Sequence, residues 1–167
     1  ASTAAKDFGL KDIFIDGDNR SFLVALNNHR SRINASLAMA VSGDGSIIGQ
    51  LVASQDELGK EVVALGSEQN TSFRYKLHSE FDHISPFYLL DGKLYQIKFS
   101  PLTSGGNSVI GWVGFGFLIG DALANSLHKL TGLNSGFMLL DQGQVSEVGH
   151  SGFPLERHES QLLTEYI

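Results

Sequence analysis

The run from Asn107 to Gly120, NSVIGWVGFGFLIG, constrains this chain more than any other segment. Its apolar residues occupy consecutive positions, as they do in a strand buried on both faces, so the segment belongs in the middle of a sheet. Gly114 and Gly116 fall on the same strand face as Trp112, because side chains alternate with a period of two. Two missing side chains beside an aromatic leave room for a ligand, a helix or another ring. The segment Asp121–Gly132 follows at once and predicts a helix: Asp121 as its cap, Leu123, Leu127 and Leu130 on one face, and Gly132 to end it.

Glycines before a helix also suggest a dinucleotide fingerprint, with Asp141 about 20 residues beyond Gly120 as the acidic partner. That fingerprint needs a solvated turn between parallel strands. Here Phe115, Phe117 and Leu118 separate the glycines within an apolar strand, and hairpins flank it. Packing of a helix or aromatic against Gly114 and Gly116 is the simpler expectation.

Asp-Gly pairs mark the hairpins. Leu37–Gly49 places Asp44-Gly45 between two strand-like runs, and Phe87–Phe99 places Asp91-Gly92 between two more. A two-residue loop at Asp91-Gly92 sets Tyr88 opposite Tyr95. The strand at 108–119 then pairs back onto 94–101. A third hairpin is predicted over Gly136–Val148. Helices are expected over residues 4–15 and 18–33, the second capped by Asp18, with Arg30 and Arg32 set against its C-terminal dipole. Between the first two hairpins, Asp56–Leu65 and Thr71–Phe81 read as short helices, and a last helix starts at Pro154. Hairpins in this order build an antiparallel sheet, so the expected fold class is α+β: a PAS-like antiparallel sheet with a leading N-terminal helix and helices packed on the sheet.

Composition narrows the function. A net charge of -6 without a basic stripe argues against nucleic acid. The absence of Cys removes disulfides, thiolate catalysis and cysteine-bound zinc. Val109–Ile119 is too short for a transmembrane helix, and Ala1–Ala5 is not a signal peptide. An incomplete helical pattern from residue 1 and an apolar segment at Leu162–Ile167 lead us to expect a piece of a longer protein.

His78, Glu80, Asp82 and His83 offer metal-ligating types, as do His150, Glu156, His158 and Glu159. On a helix His83 would lie roughly 140° from His78, which is poor geometry for one ion, so no metal and no cofactor are expected. Serine, histidine and carboxylates are plentiful, but no nucleophile elbow stands among them, so no enzyme is expected in these residues.

Several segments together resemble a known family. Asp7-Phe-Gly-Leu, Ala25–Ile33 and the strand ending Ser42-Gly-Asp-Gly45 are similar to the periplasmic Cache-type sensor region of bacterial transmembrane signalling proteins. Leu90–Gln96, Trp112–Phe117 and Leu127–Gly132 match it in the same order, so the resemblance covers roughly residues 7–140. Family members often carry a proline where this chain has Leu118. The resemblance implies a Cache-like sensor lobe over 1–134, with 135–167 either extending the sheet or beginning a second, truncated lobe. It implies a small-molecule receptor anchored in the inner membrane through flanking segments, with GGDEF, EAL or kinase output and hence cyclic-di-GMP turnover in some members. The ligand would lie between the sheet and the segment joining the first two hairpins. Arg74, Tyr75, Tyr88, Tyr95, Lys98 and Trp112 are the candidate ligand-binding residues, with Lys98 reaching an acidic ligand. The alternative is a ligand-free module that forms a homodimer through its terminal helices.

Overall fold

The computed structural model describes residues 8–55, 61–65, 87–104, 108–141 and 144–152. Two helices lead. Helix α1 spans Phe8–Asp16 and stops at Gly17, whose φ of 73° suits a glycine. Helix α2 spans Asn19–Arg32, and the Asp18 side chain caps it by accepting from the Ser21 N–H at 3.1 Å. At its other end Arg30 is buried. Its guanidinium donates to the Ala35 carbonyl at 2.7 Å and to Asn27 Oδ1 at 2.8 Å, and so fixes the chain's exit from the helix.

Strands β1 (Leu37–Ser42), β2 (Ile47–Gln55), β3 (Glu61–Leu65), β4 (Phe87–Leu90), β5 (Lys93–Thr103) and β6 (Val109–Ile119) form one antiparallel sheet in the order β3-β2-β1-β6-β5-β4. The glycine-rich strand β6 is central, as its sequence requires. It pairs with β1 in a register that sets Leu37 opposite Gly116, Met39 opposite Gly114 and Val41 opposite Trp112. The α+β expectation holds at this level.

Two local expectations in this sheet need correction. Residues 61–65 form a strand paired with β2, not a helix; the adjacent Val62 and Val63 favour that geometry. The turn between β1 and β2 runs over four residues, with the Gly45 N–H donating to the Ser42 carbonyl at 3.0 Å. Only Gly45, not Asp44, takes positive φ there. The Asp91-Gly92 turn does follow the two-residue pattern, with φ of 49° and 72°.

Helices α1 and α2 cover one sheet face. Leu10, Phe22 and Leu26 pack on Ala38, Ala40, Leu51, Leu102, Val113 and Phe115. The small residues of β1 let the helices approach closely. Gly49 lies against Leu23 and Gly111 against Phe14, where a β-carbon would overlap those side chains.

The chain divides into two compact units, Ala1–Tyr88 with Gln96–Phe117, and Leu89–Tyr95 with Leu118–Ile167. In the second, helix α3 spans Asp121–Thr131. Its N-cap is Gly120, in extended conformation, rather than Asp121. The Asp121 carboxylate instead accepts from the His150 backbone N–H at 2.8 Å. Strands β7 (Gly136–Asp141) and β8 (Gln144–His150) pair with each other in a separate two-stranded sheet. Gly149 packs on the backbone of Gly120 and Asp121 too closely for any side chain. Of the expected apolar face of α3, Leu123 and Leu130 are exposed, and Ala124 is the buried residue. No described helix is long and apolar enough to cross a membrane. The helices expected at 71–81 and beyond Pro154 lie outside the described residues.

Candidate functional site

The second face of the sheet carries the candidate site. Directly opposed residues of an antiparallel pair project to the same side. The register therefore places Leu37, Met39 and Val41 of β1 with Gln50 and Val52 of β2, and with Trp112, Gly114 and Gly116 of β6. Leu37, Met39 and Val41 are wholly buried.

This face is concave. The Tyr88 hydroxyl donates to Gln50 Oε1 at 3.1 Å. Yet Tyr88 stands on β4 and Gln50 on β2, four places apart in the sheet order. A flat sheet would hold those backbones about 19 Å apart, beyond the combined reach of the two side chains. The hydrogen bond forms because the sheet curls towards them.

The space left by the glycines is filled from the neighbouring strand. A β-carbon on Gly114 would lie 2.6 Å from the Phe99 ring, and one on Gly116 would lie 2.9 Å from Ile97. These glycines therefore admit side chains of β5 into the core. Their setting inside a strand of an antiparallel sheet lacks the parallel neighbour a dinucleotide fingerprint requires.

Of the candidate ligand-binding residues, Tyr88 is buried on the concave face, 4% exposed, and Trp112 is half-buried on the same face. Lys98 is exposed. Strand alternation turns it away from Ile97 and Phe99, and so away from the concave face. Tyr95 is 2% exposed; burial pushes its hydroxyl above the ordinary pKa of 10.0, and the nearby charge of Asp91 adds to the effect. Arg74, Tyr75, His78 and His83 lie outside the described residues.

Sequence reasoning missed Gln50. It is 3% exposed, and its Nε2, fully enclosed, has no hydrogen-bond acceptor among the described residues. The available signal was a lone amide inside the run Ile47-Ile-Gly-Gln-Leu-Val-Ala53. In the second unit, His150 Nδ1 lies 2.8 Å from Glu147 Oε1 and 3.8 Å from Asp121 Oδ1. No group of three His, Asp or Glu among the described residues is placed to hold a metal ion. Comparison with family models, with curated proteins and with solved structures gives no match for this chain.

Proposed function

We propose that the chain is the extracytoplasmic, Cache-like small-molecule-sensing domain of a membrane-bound bacterial signal-transduction protein. It reports ligand occupancy to a cytoplasmic output domain, such as one that turns over cyclic-di-GMP. Catalysis belongs to that output domain and not to these residues. The observation that carries the reading is a curled antiparallel sheet whose outer face bears the two leading helices and whose concave face mixes apolar side chains with Tyr88, Trp112 and Gln50. Sites for small molecules have this composition: an apolar lining with a few placed polar groups.

Strand β1 supplies a route for the signal. Met39 faces the concave side, while Ala38 and Ala40 touch the helix layer. A ligand that binds one arrangement of β1 better than another therefore shifts α1 and α2 with it. Thermal unfolding against amino acids, organic acids, polyamines and nucleosides tests the reading. A ligand at about a hundred times its dissociation constant adds roughly 2.7 kcal/mol, which is readily visible as a rise in Tm. A flat screen at high concentration would count against sensing.

A second reading, a homodimerisation module without a ligand, is favoured by the exposed Ile15, Val24 and Ile33 along the leading helices. Sedimentation decides here: a tight dimer that no compound stabilises supports this reading, and a monomer removes it.

A further inference from the structure

We propose that Gln50 is a ligand anchor, and that its side-chain amide donates to the carbonyl oxygen of a small, uncharged, largely apolar molecule on the concave face. The proposal rests on the sensing function above and specifies the chemistry of its ligand. Three observations carry it. First, Gln50 is 3% exposed, and its Nε2 has no acceptor among the described residues. An enclosed donor left unmade is costly, so if the Tyr88–Gln50 pair served the fold alone, apolar side chains at both positions would do better. Second, the amide is oriented. The Tyr88 hydroxyl holds Oε1 at 3.1 Å from the far side of the curled sheet, which leaves the two N–H groups of Nε2 as the available donors. Third, the side chains sharing this face (Leu37, Met39, Val41, Val52 and Trp112) are apolar or aromatic, and Phe99 reaches the same face over Gly114.

The same surroundings select against charge. A carboxylate enclosed there would need a cation beside it; none of the described lining residues named above is one, and Lys98 turns to the opposite face. A carbonyl oxygen satisfies the amide without that cost, and an apolar body matches the lining.

The test is thermal unfolding of the 167-residue chain with butyramide, benzamide and nicotinamide, each beside its parent carboxylate. At least one carboxamide should raise Tm by several degrees while its carboxylate does not. Gln50→Met should weaken the carboxamide by about tenfold. Because it takes the Gln50 acceptor from the buried Tyr88 hydroxyl, it should also lower the Tm of the free protein. Gln50→Met combined with Tyr88→Phe removes both partners and should return that Tm to the wild-type value or above it. Tyr88→Phe alone should weaken the carboxamide in the same sense by loosening the amide. If Gln50→Met does not fold, the side-chain amide resonance of Gln50 in ¹⁵N spectra reads the same contact and must move with the carboxamide. The proposal is overturned if no carboxamide acts, if Gln50→Met binds like the wild type, or if Gln50→Met combined with Tyr88→Phe folds with a lowered Tm, since the amide would then be serving the fold. A metabolite from the wider screen that stabilises wild type and Gln50→Met alike would sink this inference while leaving sensing intact. A chain that no compound stabilises would fail both.

Discussion

At the scale of single residues, Arg30 stands out because its charge serves the backbone. The helix dipole alone would leave it at the surface, yet it is buried against the Ala35 carbonyl. Arg30→Ala strands that carbonyl and should cost about 1–3 kcal/mol in urea unfolding, with Arg30→Lys recovering only part of it. Gly114 has no such latitude. Gly114→Ala drives a β-carbon into the Phe99 ring and should cost about 1–3 kcal/mol by the same measurement. Tyr95 makes a prediction about pH. The unfolded chain releases the tyrosine proton near the ordinary value of 10.0, whereas the folded chain holds it to higher pH. The stability this provides is complete below that value and is lost as pH rises through the folded pKa. Tyr95→Phe should therefore show a shallower fall in stability than wild type between about pH 9 and about pH 11. The importance of Gln50 was hidden because a sequence shows a polar residue in a strand without showing which of its atoms find partners. The placement of Lys98 followed from alternation once the buried face of β5 was known.

At the scale of elements, turn chemistry was legible where both central residues demand positive φ. Asp91-Gly92 forms that turn, and Gly92→Ala should cost about 1–2 kcal/mol by chemical denaturation, because alanine resists the left-handed region. The Asp44-Gly45 turn carries the same dipeptide but adopts a longer loop, because Ser42 and Ser46 close it through their backbones. Local signals could not see that partner choice. Residues 61–65 became a strand for a related reason: β2 offers a free edge to pair with, and tertiary pairing overrides a short ambiguous pattern. Asp121 was expected to cap α3, yet its carboxylate is drawn to the backbone N–H of His150 in β8. Asp121→Ala should consequently speed amide exchange at His150 and leave the amide of Gly132, bonded to the His128 carbonyl at the other helix end, unchanged.

At the scale of the whole molecule, the antiparallel sheet and its central glycine-rich strand were readable because periodicity and punctuation agree along the chain. The curl was not readable. It arises from how six strands twist and bend together, and its evidence is a single hydrogen bond between residues 38 positions apart. That curl makes one face the candidate site, and the two methionines of the chain can report on it. Met39 is wholly buried on the concave face, directly opposite Gln50, and Met138 lies on β7 in the other unit. The most direct measurement is therefore methionine-methyl NMR of the chain, titrated with any compound that raises its Tm. The account predicts that the Met39 methyl resonance shifts with occupancy. A stabilising compound that leaves Met39 unmoved would contradict binding at the concave face.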